Sequence, residues 1–374
     1  MDKLETLIST YEMTIAGTDI IDPRELRAIQ QGLFGEVGGL MATAKKVVRE
    51  KAYYPGYRKA AEEEFGDTLW YLAAICRRRS ISLVDLIGHA RMTQSSIPVV
   101  EVTDSASDRE PTAQSVPATN VMDAALMRLG EATAVMLAEL PSLEQMQMFA
   151  RLYLEALAAT GLSLSDVISA NTCKACGAFL EPKPEDLIDF DMSFSPEEQL
   201  PRHFRIRINQ RATGKSYLQW NGVFIGDPLS DNIGERDGYR FHDVFHFAHA
   251  AILHWSPVMR ALIKQKRKST GSYDEEQDSG RAIVVEEGLT AWIFSRAKEL
   301  NYFDGQTRVS LGILKTIQEF VAGYEVEKCP LKLWERAILQ GYAVFRQLKI
   351  AEGGVIVGDR EKRTLCFEPL ESTK

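Results

Sequence analysis

The chain is poor in cysteine. It has five in 374 residues, and Cys173-x-x-Cys176 has no second CxxC to complete a four-thiolate zinc site. So few thiols exclude a disulfide framework and point to a reducing, cytoplasmic setting. No apolar run is long enough to cross a bilayer, so no membrane partner is expected. The opening Met1-Asp2-Lys3-Leu4-Glu5 lacks the character of a secretory leader. Positive charge is not in excess: 44 Lys and Arg against 52 Asp and Glu give a net charge of -8. That balance argues against broad affinity for nucleic-acid backbone, though not against a local basic pocket for a triphosphate. What is present is an ordinary globular composition, 45% hydrophobic and 26% charged, long enough for two or three domains.

The stretch from Gly35 to Leu83 organises the rest. Leu33, Val37, Leu40, Ala44 and Val47 form one apolar stripe at helical period, with Glu36 at its edge. Phe65, Leu69, Leu72 and Cys76 form a second stripe, flanked by Glu64, Asp67 and Tyr71. Packed antiparallel, the two helices bring Glu36, Glu64 and Asp67 to one seam. Converging carboxylates repel unless a cation joins them, and hard oxygen donors suit Mg2+, with Mn2+ as the alternative. A blander reading takes Glu62, Glu63, Glu64 and Asp67 as a solvated acidic helix start.

Glu64-Phe65-Gly66-Asp67, the following Thr68-Leu69-Trp70-Tyr71-Leu72 and the later Ser80-Ile81-Ser82-Leu83-Val84-Asp85-Leu86 resemble the MazG-like, all-α nucleoside triphosphate pyrophosphohydrolases. That family carries Glu-x-x-Glu on one helix and Glu-x-x-Asp on the next. The second half is complete here. In the first half Glu36 is present, but Gly39 stands where the second Glu is expected. The resemblance implies metal ligands Glu36, Glu64 and Asp67, with Glu63 a substitute for the missing ligand. It also implies catalytic carboxylates at Glu63 and Glu64 and a homodimer.

Residues 1–93 read as a MazG-like four-helix unit, with Asp22-Pro23 starting the second helix and Tyr53-Tyr54-Pro55-Gly56 ending it. Residues 94–119, rich in Ser, Asp, Pro and Thr, read as a flexible linker. The unit then recurs, degenerate, over 120–185. Gly161-Leu162-Ser163-Leu164-Ser165-Asp166-Val167-Ile168 repeats Ser80–Ile87 about 81 residues later, and Tyr153-Leu154-Glu155-Ala156-Leu157 matches Tyr71–Ile75. The second copy has lost its acidic set, with Gln145 to Met148 in its place. Its Asn171-Thr172-Cys173-Lys174 resembles the family's closing Asn-x-x-Lys, which the first copy lacks. Asn171 and Lys174, with Lys45 and Lys46, are the expected substrate-binding residues.

Residues 190–374 read as an α-rich domain with small β pieces: strands near 204–208 and 217–226, a hairpin over 354–367, and helices near 239–253, 257–268, 282–300, 310–324 and 331–351. The fold expected overall is mainly α: tandem four-helix units, the second degenerate, then a helical domain with some strand. Three of six histidines, His242, His246 and His249, share one helical face. One reading is a second metal site on His242, His246 and Glu286, or Glu287 in its place; His-Asp-x-x-His is one residue type from the zincin His-Glu-x-x-His. The other is hydrogen-bonded histidines in a helix interface. Gly226–Asn232 and Asp237–Asp243 resemble the C-terminal domain fused to MazG-like units, a likeness spanning roughly 195–374.

The expected function is Mg2+-dependent hydrolysis of a nucleoside triphosphate to the monophosphate and pyrophosphate, in pool control, house-cleaning or phage conflict. Two other classes stand beside it. One is a degraded, nucleotide-sensing module that controls the C-terminal domain, motivated by Gly39 and the emptied second copy. The other places a His-metal hydrolase in the C-terminal domain.

Overall fold

A computed structural model describes residues 2–50, 54, 56–94, 119–211, 214–231, 234 and 236–370. The expected linker 94–119 lies outside these except at its ends, as do Tyr53, Pro55 and Asn232. The chain is mainly helical and divides into two compact units, Met1–Leu180 and Glu181–Lys374.

The first unit consists of α1 (Lys3–Ala16), α2 (Leu26–Glu50), α3 (Tyr57–Arg79), α4 (Leu83–Gln94), α5 (Thr119–Val135), α6 (Leu143–Ala159) and α7 (Leu164–Phe179). The second repeat thus supplies three helices among the described residues where four were expected. Every residue of the two predicted stripes is buried. All of them but Val47 enter one core that runs from Ile8 to Ile168 and draws on helices α1 to α7. α2 packs on α3 and α5, α6 on α4 and α5, and α7 on α1 and α3. The Phe65 and Tyr153 rings meet edge-on at 5.5 Å, and the Tyr153 hydroxyl donates to the Phe65 carbonyl at 3.0 Å.

Local chemistry sets the helix ends. Ser82 Oγ accepts from the Asp85 amide at 3.2 Å, and Ser163 Oγ from the Asp166 amide at 3.1 Å. The same cap therefore opens α4 and α7, the two helices that the sequence repeat aligns. α3 ends at Ser80, which takes a left-handed φ of 54°. Its terminal Arg77 and Arg78, favourable at a helix C-terminus, both pair with Asp19, at 2.9 and 2.6 Å.

The second unit has a five-stranded antiparallel sheet in the order β3-β2-β1-β4-β5. The strands are β1 (His203–Gln210), β2 (Ser216–Trp220), β3 (Val223–Leu229), β4 (Gly353–Asp359) and β5 (Thr364–Glu368). The expected single strand over 217–226 is a hairpin instead. Asn221 and Gly222, at φ 49° and 82°, turn the chain between β2 and β3, as an Asn-Gly pair does when it joins strands. Its helices are α8 (Asp243–Ala248), α9 (Pro257–Ile263), α10 (Gly280–Glu299), α11 (Leu311–Phe320) and α12 (Leu331–Ala351).

The expected helix over 239–253 is broken into a 3-10 turn at Tyr239–Phe241, α8, and a π turn at His249–Leu253. The expected helix over 257–268 stops early, because Lys264 is left-handed at φ 62°. The chain beyond it turns Arg267 inward. Its guanidinium is fully buried and pairs with Asp278 at 2.7 Å and Glu325 at 2.6 Å. Arg260 is buried against Asp191 nearby in the same network. Such charges stay inside only because each has a partner.

Candidate functional sites

In the first unit, two glycines on one face of α2 let α3 side chains lie against its backbone. A Cβ at Gly39 would stand 2.2 Å from Glu64 Oε2, and one at Gly32 would stand 2.1 Å from the Tyr71 ring. The 39–64 and 32–71 pairings make α2 and α3 antiparallel. Gly39 is therefore the space into which the Glu64 carboxylate fits.

Asp67 meets the second repeat. Asn171 Nδ2 donates to its Oδ1 at 3.1 Å, and Lys174 Nζ bonds to its Oδ2 at 2.5 Å. Lys174 also reaches Glu63 Oε1 at 2.8 Å. Asn171 in turn accepts from the Tyr11 hydroxyl at 2.8 Å, which fixes its amide. Burial pushes the Tyr11 phenol well above its ordinary pKa, so it stays a donor. Glu36, Glu63, Glu64 and Asp67 are all half-buried, not freely solvated. Lys45 and Lys46 are exposed further along α2, Lys46 over the Tyr54 ring at 5.7 Å. The five cysteines form no disulfide.

In the second unit, α8 and the π turn after it face α10. His246 Nδ1 lies 3.0 Å from Glu286 Oε1, and His246 Nε2 lies 3.4 Å from Glu287 Oε2. His242 Nε2 lies 3.7 Å from the same Glu287 oxygen, and its Nδ1 is 2.9 Å from the Tyr239 carbonyl. Two groups of side chains have ligand atoms within 4.8 Å of one another: His242, Asp243 and His246; and His246, His249 and Glu286. His246 thus meets His242 in one group and Glu286 in the other, and the expected His242, His246 and Glu286 do not form a single group.

Electrostatics here are dominated by burial and close charges. Burial alone would deprotonate His246. Glu286 and Glu287 reverse that and hold its pKa at about 10. Glu286 is fully buried, yet His246 and His249 keep it ionised, with a pKa of about 2. Asp243 goes the other way: burial raises its pKa against the pull of His242 and His246. His249 and Asp243 carried a sequence signal, the 242/246/249 spacing and the His-Asp pair; the His249 partner, Glu286, lies 37 residues downstream on α10, while Asp243 groups with His242 and His246.

No helix among the described residues is long and apolar enough to cross a membrane. No curated protein and no solved structure gives a significant match to the chain. Residues 185–371 match the MazG C-terminal domain. The matched stretch is 187 of the 374 residues and takes in the whole sheet and the histidine segment; the chain belongs to the MazG C-terminal domain family.

Proposed function

We propose that the first unit is a magnesium-dependent nucleoside triphosphate pyrophosphohydrolase that releases monophosphate and pyrophosphate. The observation that carries this reading is the junction at Glu63, Glu64 and Asp67. Asn171 and Lys174 of the second repeat meet Glu63 and Asp67, and Glu64 fills the place of the absent Glu at position 39. The family of the second unit supplies the matching context. Every candidate ligand is a carboxylate oxygen, the donor type magnesium takes, but Glu36, Glu64 and Asp67 are not among the groups whose ligand atoms lie within 4.8 Å of one another, so binding would have to draw them together. Glu36, Glu64 and Asp67 would hold the ion, which when bound neutralises phosphate charge and acidifies water.

The chain's own residues do the rest. Asn171 orients Asp67 through its amide. Lys174 is a point charge beside that carboxylate, able to turn toward a phosphate oxygen. With Glu63 held by Lys174, Glu64 is the carboxylate better placed to take a proton from attacking water. Lys45 and Lys46 are left for outer phosphate contacts.

The same lysine supports a second reading. An ammonium that already neutralises Glu63 and Asp67 fits a module that binds nucleotide without turning it over. A panel of standard and modified triphosphates, assayed for pyrophosphate with and without magnesium, separates the two. Magnesium-dependent release that drops at least ~100-fold in Asp67→Asn supports the enzyme. Nucleotide binding with no release across the panel supports the sensor.

A further inference from the structure

We propose that the second unit binds a divalent transition-metal ion through His242, Asp243, His246 and Glu287. The tautomers come first. The Tyr239 carbonyl can only accept, so the His242 proton lies on Nδ1, 2.9 Å away, and leaves a lone pair on Nε2. His246 is oriented alike, with Nδ1 toward the Glu286 carboxylate at 3.0 Å. His242 is held at Nδ1 by a hydrogen bond, His246 has the Glu286 oxygen beside its Nδ1, and both turn Nε2 to the same atom, Glu287 Oε2, at 3.7 and 3.4 Å. Holding the far ring nitrogen in this way is how proteins fix a ligating histidine.

Two further observations ask for a cation. Neither ring nitrogen of His246 makes a well-directed hydrogen bond, although the side chain is fully buried. Glu287 Oε2 stands beside Nε2 and not in line with an N–H, as atoms do when they share a third partner. Asp243 is only 7% exposed. Its ligand atom lies within 4.8 Å of those of His242 and His246.

Glu286 belongs outside the ligand set. Its oxygens already accept from the Ser256 hydroxyl at 3.1 Å, the Val258 amide at 2.9 Å and His249 at 2.9 Å. That saturation makes Glu286, with His249, the anchor for His246. Around a four-coordinate ion with bonds of about 2.0–2.1 Å, ligand atoms stand about 3.3 Å apart. The two histidine contacts to Glu287 Oε2, at 3.4 and 3.7 Å, are near that spacing, and the remaining ligand atoms must draw in from as much as 4.8 Å or more. Two imidazoles with two carboxylates favour Zn2+, Fe2+ or Mn2+ over magnesium. The Glu287 side chain is 39% exposed, so solvent reaches the ion from its side.

The test uses the full chain, stripped with EDTA, loaded with Zn2+ or with Mn2+, desalted and assayed for bound metal. One equivalent per chain is expected for at least one of the two ions. Cys173→Ser should retain it, and Asp67→Asn, which can cost only Mn2+ held by the first unit's carboxylates, should leave this equivalent in place. His242→Gln and Asp243→Asn should lower affinity by at least about tenfold with an unchanged circular-dichroism spectrum. Should either misfold, Glu287→Gln at the open edge reads the same site. Substoichiometric retention of both ions, or retention unchanged in the ligand variants, overturns the proposal and leaves a buried imidazolium-carboxylate chain.

Discussion

At the scale of single residues, two side chains do what no neighbour in sequence can. Lys174 is the contact from the second repeat to both Glu63 and Asp67. Lys174→Met removes the charge and keeps the bulk. Its expected effect is a KM for triphosphate raised about tenfold with a smaller change in kcat, since the lysine serves binding more than chemistry. Steady-state kinetics at saturating magnesium read this. Asp19 joins the α1–α2 connection to the end of α3. Burial would raise its pKa, but Arg78 and Arg77 hold it below the ordinary 3.8. The native state therefore binds this proton less readily than the unfolded chain does. The resulting stability is present above pH 3.8 and is lost as pH falls through the lowered native value. Asp19→Asn should melt below the wild type at neutral pH, and the gap should close on acidification. A gap that persists in acid would place the effect in packing.

At the scale of elements, the α2–α3 pair turns two glycines into different kinds of space. Opposite Gly32 is an aromatic ring, which cannot bend out of the way. Gly32→Ala should cost about 1–3 kcal/mol in chemical denaturation, by overpacking against Tyr71. Opposite Gly39 is the far end of a flexible Glu64 side chain. Gly39→Ala should leave stability nearly unchanged and instead weaken the magnesium response, because Glu64 must swing from its seat. The glycine that stands where a second Glu was expected is thus the seat of the Glu64 carboxylate. The histidine segment shows a similar limit. Its period predicts one long helix, and the face it predicts is there, but a 3-10 turn and a π turn re-aim the first and last histidines. Periodicity reports which side chains share a face; backbone hydrogen bonding to tertiary partners sets where that face is broken.

At the scale of the molecule, the first unit has one core, to which all seven of its described helices contribute. Phe65, Leu69 and Leu72 from one half pack in the same cluster as Phe149, Tyr153 and Leu157 from the other. A fragment of residues 1–93 leaves half of that surface in water and should aggregate or lack a cooperative melt. Residues 1–180 should fold alone, which circular dichroism and light scattering check together. Phe34, Met127, Leu140 and Leu143 are exposed on that unit. We therefore expect the light-scattering mass of 1–180 to be that of a dimer. A monomeric mass would show that these side chains are tolerated singly in water.

The sequence by itself determined the apolar stripes, the repeated Ser-capped helix start, the acidic segment at Glu64 and Asp67 and the histidine face. All of these are written in local spacing, where helix period and cap chemistry act over a few residues. Only the tertiary structure decided that Asn171 and Lys174 meet Asp67, and that Gly39 receives Glu64. It also decided that His242 and His246 both face Glu287 with Glu286 behind. Those contacts join residues from about 25 to more than 100 positions apart. Which pairs meet depends on how whole helices bury their faces, and no window of sequence holds both partners.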